Sequence, residues 1–256
     1  MIPIIVFSII IIVVILNYLV QYMLIPKVFM FPIHRNFSRT FPVLEVSETW
    51  NTDEIPKIIH QTAPSDEEKW NPVWFKCQQS WKEKFPDFEY KMWTDEDLDD
   101  FIRTKFEWFY PTYKSYDKNI KRIDSARYFI LYEYGGIYAD MDYECINNFY
   151  HLLPSGKVSI CESPYINHPI RNEKYENSLM VSPPKHPFWN LVYSNLEENV
   201  NAWTVVWTTG PNIIKEAIDD SLCEMWNGLN FENFTRGDEN GYSRHYNTGS
   251  WISSKN

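Results

Sequence analysis

The chain has 256 residues, of which 44% are hydrophobic, enough for one sizeable domain with a full core and a short appendage. A formal net charge of −10 argues against a nucleic-acid binder, which would carry a basic face. Four widely spaced cysteines, Cys77, Cys145, Cys161 and Cys223, form no CxxC or Cys/His pattern, so a structural zinc site is not expected. Disulfides and free buried thiols both remain open. The aromatic fraction of 17% serves core packing or, through flat Trp and Tyr faces, contact with sugars.

No charged side chain precedes Lys27, and the run IPIIVFSIIIIVVILNYLV is dense in Ile, Val and Leu. Roughly 22 helical residues at ~1.5 Å each cover the ~30 Å hydrocarbon core of a bilayer. Residues 1–26 are therefore expected to form one N-terminal transmembrane helix. The rival, a cleaved signal peptide, would need a basic start, a shorter apolar run and a small-x-small site. Residues 27–53 contain Pro and Ser without helical periodicity and suit a stem. Residues 54–256 are expected to be the catalytic domain.

From Ile55 onward strand-like and helix-like runs alternate. Ile55–His60 predicts a short buried strand, and Pro72–Phe85 a Trp-rich amphipathic helix. Phe88–Trp93 alternates as a strand should; Thr94 then predicts the N-cap of a helix reaching about Ile102. Ile120–Tyr134 is a long helical pattern closed by Gly135-Gly136, and Ile137–Asp142 predicts another strand. This order implies an α/β fold with a mainly parallel central sheet.

Three Asp-x-Asp arrangements occur. Asp95-Glu96-Asp97 and Asp97-Leu98-Asp99 fall at a predicted helix start, where carboxylates suit the helix dipole. Asp140-Met141-Asp142 instead ends an apolar strand, where open α/β sheets bind ligands. Residues two apart on a strand point the same way, so both carboxylates are expected to face one cation. Hard oxygen ligands suit Mn²⁺ or Mg²⁺, and such an ion on a nucleotide diphosphate acts as a Lewis acid. The alternative is an acidic strand-to-loop corner. Upstream, Asp124 and Arg127 share a helix face. They read either as an intrahelical salt bridge or as a sugar- and phosphate-binding pair.

Taken together, Ile55-Pro56-Lys57-Ile58-Ile59-His60-Gln61-Thr62, Trp93-Thr94-Asp95, Asp124-Ser125-Ala126-Arg127-Tyr128 and Tyr134-Gly135-Gly136-Ile137-Tyr138-Ala139-Asp140-Met141-Asp142 resemble the DxD sugar-binding glycosyltransferases of family thirty-two. That group includes fungal initiating mannosyltransferases and inositol-phosphoceramide mannosyltransferases, with the large clostridial glucosylating toxins as distant relatives. The resemblance covers roughly residues 54–215. It implies a GT-A fold and metal-dependent, retaining transfer of a hexose (mannose, glucose or galactose) from a GDP- or UDP-sugar to a glycan, lipid or glycoprotein acceptor.

Carried over by position, the resemblance implies that Asp124 and Arg127 hold the donor sugar and Asp140 and Asp142 the metal and diphosphate. His60, Gln61, Trp93 and Tyr138 would line the donor site, and Thr209-Gly210-Pro211 would turn into a helix near the acceptor. The ending His245-Tyr246-Asn247-Thr248-Gly249-Ser250-Trp251 resembles the His…Ser-Trp ending of the group. It implies His245 as a third metal ligand and Trp251 as a lid or nucleotide contact; a solvated polar tail is the alternative. Glu144 and Glu162 lie near the motif in sequence, yet neither is needed if the departing phosphate acts as base.

Localisation meets a conflict. Lys27, Arg35 and Arg39 all follow the apolar run, and the positive-inside rule would then keep the domain cytoplasmic. A type II enzyme of the Golgi or endoplasmic reticulum would be lumenal, as the sequons at Asn36 and Asn233 permit. Two other functions are alternatives. One is a metal-dependent phosphohydrolase or nucleotidyltransferase, since paired carboxylates also organise phosphate chemistry. The other is a non-catalytic membrane-bound carbohydrate-binding protein, against which the intact Asp124, Arg127, Asp140 and Asp142 argue.

Overall fold

The computed structural model describes residues 54–167, 174–235 and 237–249. The expected anchor, the stem and Trp251 lie outside them. Among the described residues no helix is long and apolar enough to cross a membrane.

The first half of the domain follows its local sequence closely. Strand β1 (Ile58–Thr62) pairs in parallel with β2 (Glu89–Trp93). Helix α1 (Pro72–Lys84) connects them; it starts where the Asn71 side chain accepts from the Val73 amide, with Pro72 in the first turn. Its buried residues Trp74, Cys77 and Trp81 recur at helical spacing. Helix α2 (Asp95–Lys105) is opened by a capping box in which Thr94 and Asp97 bond each other's backbone amides. The acidic run there is thus a helix start. Helix α3 (Tyr110–Ser115), which the sequence pattern did not predict, leads to α4 (Asn119–Tyr134).

Gly135 and Gly136 then turn the chain into β3 (Gly136–Ala139) with φ of 64° and 87°. A Cβ on Gly136 would lie 2.5 Å from the Ile58 carbonyl oxygen, so only glycine allows α4 to reverse directly against β1. Beyond β3 come β4 (Tyr143–Cys145), β5 (Val158–Glu162), β6 (Tyr175–Ser182), α5 (Phe188–Glu198), α6 (Val205–Thr208), α7 (Pro211–Asp220), β7 (Trp226–Leu229), α8 (Phe231–Phe234) and β8 (Ser243–His245). The main sheet has the order β2-β1-β3-β6-β5-β7, while β4 and β8 form a separate ribbon. Pairings β1–β2, β1–β3 and β5–β7 are parallel; β6 runs antiparallel to both of its neighbours. The expected mainly parallel α/β sheet is present, with one reversed strand beside its centre.

Both faces of the sheet are covered, and the strand period sorts β3 between them. Tyr138 joins a core with Tyr128, Phe129 and Trp189, whereas Ile137 and Ala139 join Ile59, Trp81 and Phe149. A third cluster of Ala63, Trp70, Trp74 and Met141 lies under the chain just past β3. Trp81 and Trp189 are fully buried, so the high aromatic content largely fills the core. All four cysteines are unpaired, which decides for free thiols.

Two buried histidines make the fold acid-labile. Burial pushes His60 down to about 3, against a bond to the Gly135 carbonyl, and His186 down to about 4, against one to Gly156. Both folded-state values lie below the unfolded 6.5, so the unfolded chain binds more protons. The stability is therefore full above pH 6.5 and is lost as pH falls. In His186→Asn the new side chain can still accept from the Phe188 amide, as His186 Nδ1 does. The stability of the wild type relative to this variant should fall by about 1.4 kcal/mol per pH unit between pH 6.5 and 4. Urea unfolding at successive pH values measures this, and a pH-independent difference would refute it.

Candidate functional site

The Asp140–Asp142 pair is not on a strand. Strand β3 ends at Ala139, and the Tyr143 amide donates to the Asp140 carbonyl at 3.0 Å, closing a turn. The alternation argument for a shared direction therefore does not hold, and packing fixes the side chains instead. Met141 is only 3% exposed, sunk among Ala63, Trp70 and Trp74, so the turn is anchored by its middle residue. Its backbone is held on both sides: the Asp140 amide donates to the Ser178 carbonyl at 2.8 Å, and Gln61 Nε2 donates to the Asp140 carbonyl at 3.1 Å.

Arg127 is the hub of the buried half. Its Nη2 lies 2.6 Å from Asp124 Oδ1 and its Nη1 3.1 Å from Asp140 Oδ1. Nη1 also donates to the Asn177 carbonyl at 2.9 Å, and the guanidinium lies 4.8 Å from the Tyr138 ring centre. The i, i+3 pair expected on α4 is thus a buried bridge between helix and turn. Burial raises Asp124 to about 6 against the pull of Arg127, and nearby Asp140 adds to the rise. Asp124 Oδ2 has a long contact, 3.4 Å from Thr209 Oγ1, and the carboxylate also meets the Asn177 side chain. An ionised carboxylate has about four lone-pair sites, so it keeps capacity to accept further hydrogen bonds. Burial and Asp142 also push Asp140 up, while Arg127 and a 2.9 Å bond from the Tyr138 hydroxyl oppose them.

The other half is assembled from the far end of the chain. Pairing of β4 with β8 sets His245 opposite Tyr143, and the two rings stack with centroids 4.4 Å apart. His245 Nε2 lies 3.3 Å from Asp142 Oδ1, and Nδ1 3.3 Å from Glu176 Oε2. Burial would lower this imidazole, but the two carboxylates carry it up to about 10. Asp142 Oδ2 accepts from the Thr248 amide at 2.8 Å and its hydroxyl at 2.9 Å. Burial acts to raise Asp142, yet the bonds from His245 and Thr248 hold it below the usual carboxylate range.

The remaining predicted site residues are placed as follows. His60 and Trp93 are 0% and 3% exposed, and Trp93 Nε1 donates to His60 Nδ1, so both side chains pack behind the site. Gln61 and Tyr138 are also fully buried and act on Asp140, the first through its backbone and the second through its carboxylate. Glu144 is engaged by Lys76 and Tyr246, and Glu162 by Asn230. Neither touches the cluster through these bonds. The sequence reading missed Glu176, Asn177 and Thr248. Their only local signal is polarity on or beside a strand, which does not distinguish them from solvated positions.

Among the described residues no three His, Cys, Asp or Glu side chains converge as a formed metal cage. Their chemistry nevertheless fits a hard divalent cation. Asp124, Asp140, Asp142 and Glu176 supply four carboxylates in a mostly buried place. With His245 neutral, as a ligand must be, Arg127 alone opposes them and three negative charges stay in excess. Without a cation, a proton on His245 offsets one of them. Asp140, whose side chain is 29% exposed, is the most open member of the predicted Asp140, Asp142 and His245 ligand set.

Residues 71–159 match the model of the glycosyltransferase sugar-binding region containing the DXD motif. The chain is 37% identical over 162 residues to inositol phosphoceramide mannosyltransferase 2 of Schizosaccharomyces pombe, covering 61% of this chain and 44% of that one. It is 37% identical over 165 residues to a mannosyl phosphorylinositol ceramide synthase of Saccharomyces cerevisiae, covering 62% and 41%. The chain thus spans less than half the length of these two relatives. Among solved structures it is similar in fold to the PaToxG glycosyltransferase, with a TM-score of 0.52, 15% identity, and coverage of 66% of this chain and 70% of the other.

Proposed function

With residues 71–159 as the sugar-binding region of a DXD-motif glycosyltransferase, we propose that this chain transfers a hexose from a nucleotide-sugar donor to an acceptor hydroxyl. One observation carries the reading: Arg127 joins Asp124 to Asp140, so sugar-facing and diphosphate-facing groups share one rigid cluster. Asp124 accepts hydrogen bonds from donor-sugar hydroxyls through its under-used oxygen. Arg127 and Tyr138 hold Asp140 in place. Asp140 and Asp142, with His245, would hold a divalent cation, Mn²⁺ or Mg²⁺, which would supply positive charge to offset that on a leaving diphosphate. Gln61, His60 and Trp93 support the donor side from behind. Trp251, which lies outside the described residues, is kept as a candidate donor-binding residue on the resemblance of the chain's ending alone.

The names of the relatives favour mannose, hence a GDP-mannose donor, and an inositol-bearing lipid as the first acceptor to try. Glycan and glycoprotein acceptors come next. The apolar run of residues 1–26 would anchor the enzyme as a single-pass membrane protein of the secretory pathway. The test is a donor screen on the full chain in detergent with Mn²⁺, reading release of GDP or UDP. Turnover of one sugar nucleotide, GDP-mannose first, is the expected result. Absence of both turnover and metal-dependent binding, for every donor tried, would refute the proposal.

A further inference from the structure

Glu176 is absent from the roles assigned so far, yet it is built into the cluster with unusual care. It lies on β6, three residues beyond the segment 168–173 that is outside the described residues. Its Oε2 accepts from the Tyr143 hydroxyl at 3.0 Å and from Ser178 Oγ at 2.8 Å. The same Tyr143 stacks on His245, so a single side chain orients both the carboxylate and the imidazole facing it. His245 Nδ1 is buried with no well-aligned hydrogen bond, and the Glu176 carboxylate 3.3 Å away is the acceptor within reach. On the opposite edge of the ring, Nε2 faces Asp142. The ring is thus clamped face-on by Tyr143 and edge-on by two carboxylates of different standing. Asp142 belongs to the predicted cation site, and Glu176 lies behind the imidazole.

We infer that Glu176 is a positioning residue: it takes the Nδ1–H of His245 and thereby aims the Nε2 lone pair at the cation held beside Asp142. A histidine ligand needs one nitrogen free as a lone pair, and a carboxylate on the other nitrogen fixes both tautomer and ring orientation. This inference rests on the proposal that the site holds a divalent cation.

The experiment compares wild type, Glu176→Ala, Glu176→Gln and His245→Ala, using the full chain and Mn²⁺ alone. Mn²⁺ affinity is read by electron paramagnetic resonance. The tautomer of His245 is read by ¹⁵N magnetic resonance on the Mg²⁺-loaded protein. Glu176→Ala is expected to weaken Mn²⁺ binding by about 10–100-fold and to lose the fixed Nδ1–H form. Glu176→Gln keeps an acceptor oxygen and the side-chain volume, and should lie closer to wild type on both readings. Should Glu176→Ala fail to fold, Glu176→Gln together with the wild-type tautomer decides. Wild-type affinity in Glu176→Ala, or an Nε2–H tautomer in the loaded wild type, would overturn this inference alone. No Mn²⁺ binding by wild type, or unchanged binding in His245→Ala, would overturn the ligand assignment and this inference with it.

Discussion

Asp140→Asn combined with Asp142→Asn is expected to abolish hexose transfer while the domain stays folded. Asparagine keeps the volume of aspartate, removes its charge and turns one acceptor oxygen into an NH2 donor, leaving one oxygen to accept. The double variant would leave no carboxylate in the turn to hold a divalent ion. Removing a single preorganised electrostatic group commonly costs about 10²–10³ in rate. Losing both should therefore push turnover below roughly 10⁻³ of wild type. The effects on stability oppose each other. Burial destabilises ionised Asp140, so neutralising it relieves a penalty, whereas Asp142 is held low by His245 and Thr248, and neutralising it gives up those interactions. The turn itself hangs on Met141, Gln61 and Ser178, none of which is altered. A thermal unfolding scan beside a GDP-release assay measures both halves. Substantial turnover by the double variant would remove the metal assignment.

Arg127→Met should be the most destabilising single change in the site. Asp124 and Asp140 would be left without their shared cation, and the Asn177 carbonyl without its donor. Removing one partner of a buried ion pair typically costs about 3–5 kcal/mol, most of it from the charge left behind. Lysine would not substitute, because a single ammonium cannot reach both carboxylates as the guanidinium fork does. Adding Asp124→Asn to Arg127→Met removes one stranded charge and should restore part of the loss. Urea unfolding of the two variants tests this. Wild-type stability in Arg127→Met, or no recovery in the double variant, would contradict the hub arrangement.

What could be read in the sequence divides along physical lines. Elements set by local pattern were legible: the Trp74, Cys77 and Trp81 stripe of α1, the Thr94 cap, and the Gly-Gly break after α4. The second half was less legible, since β5 and β6 are largely buried, β7 is a short half-buried edge strand, and their order depends on pairings far along the chain. The Asp140-Met141-Asp142 turn was misread as strand because its apolar middle residue mimics alternation. Met141 is buried for a different reason, as the plug of a separate aromatic cluster. The resemblance implies His60 and Trp93 as donor-site residues, yet their side chains bond each other inside the protein. Glu176 and Thr248 were invisible, because only the β4–β8 ribbon and the fold of β6 carry them to Asp142 and His245.

The double-glycine reversal after α4 has a consequence for inheritance. Because the chain doubles back without a loop, Asp124, Arg127, Asp140 and Asp142 travel on one short stretch of helix, glycine break, strand and turn. An insertion or deletion anywhere inside it would shift the two halves of the cluster out of step, while the surrounding loops can lengthen freely. The segment behaves as a cassette of fixed length.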